Sequence, residues 1–205
     1  ARHRFWNSRV PCHAAHGEHK DTPLNPSQNP PAAVANVGEL VARCARAYGR
    51  QTAVRSPARS LTYAELEQRS NRLANGLLGA GLKRGDRVGI YLPNCVEIVE
   101  IELACYKAAL VKAPFNARLS PKEVGDIVAN SEAALVVTTA ERAESFRPHL
   151  GASAPRLLLV DGPAEGPDAY ERLLGRASDS FTPAVVDADE VAVLHYTSGS
   201  SGVLK

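Results

Sequence analysis

From residue 61 to residue 160 this chain alternates short apolar runs with amphipathic stretches that open on helix-start signals, and few folds accept that order. The apolar runs are Asp86–Leu92, Val111–Phe115, Ala134–Thr138 and Leu157–Val160. In the first, Val88, Ile90 and Leu92 alternate as in a buried strand. Pro114 falls at the end of the second, where a missing N–H does least harm. Between the runs, Thr62-Tyr63-Ala64-Glu65 forms a capping box, with Leu61 and Leu66 as a hydrophobic staple. Leu66, Leu73, Ala74, Leu77 and Leu78 then share one helical face, and Gly79 and Gly81 offer a stop. Asn94 with Glu97 predicts the start of a helix that runs to about Leu110 and is apolar over much of its circumference. Ser120-Pro121-Lys122-Glu123 combines a cap, a proline at the first helical position and an answering glutamate, and Ile127 and Val128 carry the apolar face behind it. Short helices are expected near 140–147 and 168–175, the second after a Gly/Pro-rich turn at 161–168, and a last strand at 191–196. Strands separated by helices imply crossover connections, hence an α/β fold with a largely parallel sheet flanked by helices. Ligands of such sheets sit beyond the carboxyl ends of the strands.

Residues 1–35 read differently. They hold Arg2, Arg4 and Arg9, four of the six histidines and five prolines, without periodicity, and are expected to be irregular or disordered. Cys12, His13, His16 and His19 match no standard zinc-finger spacing. The early arginines, with no acidic residue before Glu18, suggest a transit peptide. The net charge of +2 offers no argument for nucleic acid or a membrane surface, and no apolar stretch approaches the roughly 18 residues of a bilayer span. The four cysteines form no CxxC pair, and Cys95 and Cys105 fall in helical patterns as small core residues. A reducing, cytoplasmic setting is the expectation.

The run Tyr196-Thr197-Ser198-Gly199-Ser200-Ser201-Gly202-Val203-Leu204-Lys205 follows the apolar Val191–His195. Glycines let a backbone approach an anion, hydroxyls donate hydrogen bonds and a lysine adds a compact positive charge. These residues suit a loop that holds phosphate. The P-loop pattern is not met, because Gly199 and Gly202 are too close and Lys205 does not follow a glycine; GxGxxG is also absent. The same composition suits a flexible Ser/Gly linker on a non-catalytic α/β module. The sequence beyond Lys205 separates the two, since a linker continues in Gly, Ser or Pro and a phosphate loop leads into a helix. A phosphate loop ordinarily precedes more protein, and the chain has no methionine even at position 1, so a fragment truncated at both ends is expected.

The same run resembles the signature loop of the adenylate-forming (AMP-binding) enzymes, the superfamily of acyl-CoA synthetases, luciferases and peptide-synthetase adenylation domains, whose usual wording is Tyr-Thr-Ser-Gly-Thr-Thr-Gly-x-Pro-Lys. Ser200 and Ser201 replace threonines and keep the hydroxyls. Leu204 replaces proline and gives up a fixed φ. Two earlier segments are also similar to that family: Leu61-Thr62-Tyr63-Ala64-Glu65-Leu66, and Ala104 to Ser120, which follows the form Ala-x-x-Lys-Ala-Gly-Ala-x-x-x-Pro-x-Asn-x-Arg-Leu with Ala109 where glycine is usual. The resemblance covers residues 36–205. Asn116-Ala117-Arg118-Leu119-Ser120 looks more like fatty acyl-CoA synthetases than peptide synthetases, which carry Asp-Pro-x-Tyr-Pro there.

The resemblance implies that residues 36–205 are a partial N-terminal AMP-binding domain that stops at the phosphate loop. In the full-length protein a carboxylic acid, by this wording a fatty acid, would be activated by ATP to an acyl-adenylate and passed to CoA. An aryl-CoA ligase and an amino-acid adenylation domain are the neighbouring alternatives. Thr197, Ser198, Gly199, Ser200, Ser201, Gly202 and Lys205 would hold the ATP phosphates, with Mg²⁺ neutralising charge and CoA as co-substrate. The partner is then a small carboxylic acid, with no call for nucleic acid or a transmembrane segment. His195 reads as a sheet residue rather than an acid or base. The catalytic residues, the acyl pocket and the small C-terminal domain would lie beyond Lys205, so the 205-residue chain is expected to be inactive alone.

Overall fold

The computed structural model describes residues 36–152, 154–163, 166 and 168–196. The chain enters through α1 (Gly38–Tyr48), a helix with no signal strong enough to predict, and a small antiparallel hairpin of β1 (Thr52–Arg55) and β2 (Ser60–Thr62). Then follow α2 (Tyr63–Gly79), β3 (Arg87–Tyr91), α3 (Val96–Lys107), β4 (Val111–Pro114), α4 (Pro121–Ser131), β5 (Leu135–Thr138), α5 (Ala140–Phe146), β6 (Arg156–Leu159) and α6 (Tyr170–Arg176).

Strands β3 to β6 form one parallel sheet in the order β4-β3-β5-β6. The chain steps from β3 to β4 and then back across β3 to β5, so successive crossovers use opposite faces. On one face Leu73 and Leu77 of α2, Ile101, Ala104 and Cys105 of α3, and Leu174 of α6 enclose Val88, Ile90, Leu135, Val137 and Leu158. On the other, Val124, Ile127 and Val128 of α4 and Phe146 of α5 cover Tyr91, Ala113, Val136 and Leu157. Adjacent strand residues therefore face different cores, as a doubly covered parallel sheet requires.

Both capping boxes form. Thr62 Oγ1 accepts from the Glu65 N–H while Glu65 accepts from the Thr62 N–H at 2.8 Å, and Ser120 with Glu123 repeats the arrangement. Asn94 does not cap α3. It is exposed, and Cys95 occupies the cap with no side-chain hydrogen bond. The burial of Val96 against Val41, Leu61 and Leu66 sets that start one residue later. Cys95 thus stands outside the helix proper, where burial pushes its thiol pKa up to about 11, whereas Cys105 is inside the core with its thiol at about 12. Leu78 is turned partly to solvent near the end of α2 instead of joining Leu73 and Leu77. Helix α3 also stops short of Leu110. Ala109 has φ of 53°, and the Leu110 N–H returns to the Cys105 carbonyl at 2.9 Å. That left-handed residue explains why glycine is usual at this point of the motif.

Among the described residues three charged side chains are buried, Glu100, Lys107 and, at the sheet edge, Lys112. Glu100 of α3 accepts from Arg59 Nη2 at 2.7 Å, Arg69 Nε at 2.8 Å and Tyr170 Oη at 2.8 Å. Lys107 donates to Glu67 Oε2 at 2.7 Å, Ser70 Oγ at 2.8 Å and Asn71 Oδ1 at 2.6 Å, which satisfies its three N–H groups. No helix among the described residues is long and apolar enough to cross a membrane. The cysteine and histidines of the first segment lie outside the described residues.

Candidate functional site

The expected phosphate-binding residues, Thr197 to Lys205, lie outside the described residues, and the site is approached from the segment that delivers them. The strand expected at 191–196 reduces to a single parallel bridge between Val193 and Lys112 of β4. Its two hydrogen bonds run from the Lys112 N–H to the Ala192 carbonyl at 3.1 Å and from the Leu194 N–H to the Lys112 carbonyl at 2.9 Å. The next rung would need an N–H from residue 114, and proline has none. The ladder stops there for a reason written in the sequence.

The bridge places the segment at the edge of the sheet beside β4, running in the same direction. Tyr196, the last described residue, meets Phe115 just past the end of β4, ring centroids 6.3 Å apart and nearly perpendicular. Its hydroxyl donates to Asn130 Oδ1 at 3.0 Å, and burial raises its pKa. Phe115 in turn lies over Gly89 in the middle of β3, where an added Cβ would come within 2.9 Å of Phe115 Cζ and of Val136 Cγ2. Gly89, Phe115 and Tyr196 thus form a stack that carries the chain toward the carboxyl side of the sheet. His195 is exposed.

Lys112 also anchors this edge through its side chain. It pairs with Glu102 at 2.6 Å and lies 5.1 Å over the Tyr106 ring. Burial opposes its charge, but the Glu102 carboxylate prevails and holds its pKa above the ordinary lysine value.

The segment after β4 is fixed from two directions. Asn116 Oδ1 accepts from the Arg118 N–H at 3.0 Å and closes a turn. Tyr91, at the carboxyl end of β3, donates to the Leu119 carbonyl at 3.1 Å, and Arg142 of α5 donates to the Ala117 carbonyl at 3.0 Å while its guanidinium lies 4.5 Å from the Tyr91 ring centroid. Sequence reading singled out Asn116–Ser120 as a motif but not Tyr91 or Arg142, whose partners lie more than twenty residues away.

A cleft of about 630 Å³ is lined by Gly85, Arg87, Asn130, Glu190, Leu194 and Tyr196. It opens at the amino ends of β3 and β4, away from the strand ends where α/β sheets bind nucleotides. Among the described residues no group of three or more His, Cys, Asp or Glu side chains could hold a metal ion.

A family model described as AMP-binding enzyme matches residues 41–205, a span that contains all three motifs. The chain belongs to this family. It is 40% identical over 166 residues to a feruloyl-CoA synthase from Amycolatopsis sp, covering 81% of this chain and 31% of that protein. It is 31% identical over 179 residues to a crotonobetaine/carnitine–CoA ligase of Salmonella paratyphi A, covering 81% of this chain and 34% of that one. Among solved structures, the inhibitor-bound N-terminal domain of FACL13 from Mycobacterium tuberculosis superposes with a TM-score of 0.73 at 26% identity, over 83% of this chain and 43% of that domain. The parallel sheet with helices on both faces is therefore the N-terminal fold of the AMP-binding family. The chain spans about a third of the length of these curated relatives.

Proposed function

We propose that this chain is the N-terminal part of an AMP-forming acid–CoA ligase. In the full-length protein a carboxylate oxygen of the substrate attacks the α-phosphorus of ATP. The bond from that phosphorus to the bridging oxygen breaks, and pyrophosphate leaves. The sulfur of CoA then attacks the acyl carbon, and AMP leaves with the bonding pair. Thr197, Ser198, Ser200 and Ser201 donate to the β- and γ-phosphates, Lys205 balances charge moving onto pyrophosphate, and Gly199 and Gly202 allow close approach. Mg²⁺ bound to the ATP phosphates would neutralise further charge. The observation that carries this reading is the family match through Lys205, supported by the bridge at Val193, which sets the chain just before the loop parallel to β4. A linker on a non-catalytic module has neither feature in its favour. The expected setting is the cytoplasm.

The acid is the finer question. The Asn116–Ser120 wording looks more like fatty acyl-CoA synthetases than peptide synthetases, which leaves fatty and aromatic acids both open. The 40% identity to a feruloyl-CoA synthase favours an aromatic acid, and we place the aromatic acid first.

The test is acid-dependent ATP–pyrophosphate exchange by the full-length protein with ferulate, benzoate, hexadecanoate and amino acids offered separately. Exchange with ferulate or benzoate is the expected result, and exchange with hexadecanoate alone returns the reading to a fatty acyl-CoA synthetase. Failure with every acid sinks the proposal. Lys205→Ala should slow exchange on the order of a hundredfold with the melting temperature unchanged. The 205-residue chain alone should show no exchange.

A further inference from the structure

Between α6 and the bridge at Val193 the chain runs through residues 177–192 without a helix or strand. A connection of that length within a compact fold is uncommon and is more often functional than idle. This strap is nonetheless fastened along its course. Asn75 donates to the carbonyls of Ser178 and Ser180 at 2.8 and 2.9 Å, and Asn71 donates to that of Asp179 at 2.8 Å. Farther on, the Ala184 N–H donates to the Lys107 carbonyl at 2.8 Å, and the Ala184 carbonyl accepts from Asn36 Nδ2 at 2.8 Å. Close to the exit, Glu190 pairs with Arg84 and accepts from the Asp187 N–H at 2.8 Å.

We infer that Asn36 is a positioning residue for the phosphate loop: by clamping Ala184 to the end of α3 it sets the register in which the strap docks on β4 and so where Thr197 to Lys205 begin.

Asn36 is buried and uses both ends of its amide. Besides Ala184, its Nδ2 donates to the Tyr106 carbonyl at 2.8 Å, and its Oδ1 accepts from the Gly38 N–H at 2.7 Å. An asparagine can supply two donors and an acceptor at one point without a charge. The start of α1 is pressed so closely on α3 that a Cβ at Gly38 would lie 2.5 Å from Lys107 Cγ, which leaves Asn36 little room to move. The anchor and the docking point belong to one continuous piece of chain, since Tyr106 and Lys107 end α3 and Lys112 follows in β4. Ala184 is held to the first and Val193 to the second.

The docking bridge has only two hydrogen bonds, and two such bonds add little net stability. They do not by themselves resist a one-residue slip, which would turn Tyr196 away from Phe115 and shift it by about 3.3 Å along β4. Misplacement of about 1 Å already costs on the order of a hundredfold in rate where phosphates must be held in line. The clamp at Ala184 removes that freedom. The inference rests on the phosphate role proposed for the loop.

The experiment uses the full-length protein with Asn36→Ala, with Arg84→Ala as a second variant at a half-exposed position, and with Leu158→Ala in β6 as a destabilised control outside the strap. Two quantities are read: hydrogen exchange at the Leu194 amide, and the KM for ATP against the KM for the acid in pyrophosphate exchange. We expect Asn36→Ala to speed Leu194 exchange and raise the ATP KM by about tenfold each, with the acid KM nearly unchanged. Arg84→Ala moves both the same way, and it decides the matter if Asn36→Ala does not fold. The inference is overturned if the strap variants leave Leu194 protection and the ratio of the two KM values no different from Leu158→Ala. If no acid supports exchange in the unaltered protein, the functional reading fails, while Leu194 protection still judges the clamp.

Discussion

The hydroxyl of Tyr170 donates to the Glu100 carboxylate at 2.8 Å with both side chains enclosed, and the bond ties α6 to α3. Glu100 also receives Arg59 from the loop between β1 and β2 and Arg69 from α2, so one carboxylate joins four parts of the chain. Removing it strands a buried hydroxyl and leaves the two guanidinium groups only their outer partners, Glu97 at 2.9 Å for Arg59 and Glu171 at 2.6 Å for Arg69. Glu100→Ala should destabilise this part of the full-length protein by about 3 kcal/mol, at the lower end for a broken buried ion pair because both arginines reach solvent. Tyr170→Phe leaves the arginines paired and should cost about 1 kcal/mol. Burial and the Glu100 charge push the Tyr170 pKa well above 10.0. A raised folded-state value means that the stability Tyr170 contributes is whole below pH 10 and is lost as pH climbs beyond it. Denaturant unfolding of both proteins at pH 8 and above pH 10 checks this, with the gap between wild type and Tyr170→Phe closing on the alkaline side.

Lys107 carries the opposite sign. Burial lowers its pKa, and the Glu67 hydrogen bond only partly restores it. Below the ordinary value of 10.5 the unfolded chain then holds the Lys107 proton more tightly than the folded one, so stability rises as pH climbs toward 10.5. Lys107→Met lacks that dependence and leaves Glu67 without its cation, at about 2 kcal/mol with Glu67 partly exposed. The advantage of wild type over Lys107→Met should therefore widen between pH 8 and pH 10. A constant difference over that range would show that Lys107 titrates as an exposed lysine does.

The parts of the fold that sequence alone made legible are those written within a few residues. Thr62 with Glu65 and Ser120 with Glu123 close their boxes within one turn, and the β3 alternation of Val88 with Ile90 needs only its own strand. Asn94 fails for the same reason that these succeed. Its cap signal is local, but the start of α3 is decided by Val96 against residues thirty to fifty-five positions earlier. Glu100, Lys107 and Asn36 read as ordinary polar residues, because the partners that make them structural lie as far as 148 residues away, as Ala184 does from Asn36. The bridge of Val193 to Lys112 was not legible, since nothing near Val193 names β4 as its neighbour.

Ala109 offers a gain. It ends α3 with φ of 53°, a conformation that presses Cβ toward the following carbonyl. Glycine has no such penalty, and the Cys105–Leu110 hydrogen bond that closes the turn involves only backbone. Ala109→Gly should raise stability by about 1 kcal/mol despite glycine's greater freedom in the unfolded chain, which elsewhere in a helix works against it. A rise in melting temperature of the full-length variant checks it, and a fall would mean that the turn draws on the Ala109 methyl.

Gly89 tests the stack beneath Tyr196. A methyl there would meet Phe115 Cζ and Val136 Cγ2 at 2.9 Å, within two side chains already enclosed in the core. The sheet backbone is held on both sides by β4 and β5, so the rings must give way instead of the strand. Gly89→Ala should cost about 2 kcal/mol as overpacking. Because the ring it displaces is the one Tyr196 rests on, the damage should extend to Tyr196, the residue before the proposed phosphate loop. Phe115→Leu makes room for the new methyl but removes the ring, and costs about 1 kcal/mol alone. If the stack is the cause, the double variant Gly89→Ala/Phe115→Leu is more stable than the sum of the two changes by about 1 kcal/mol, the coupling of residues in contact. Simple additivity would place the strain at Val136, and then ATP–pyrophosphate exchange by Gly89→Ala would fall no further than its stability accounts for.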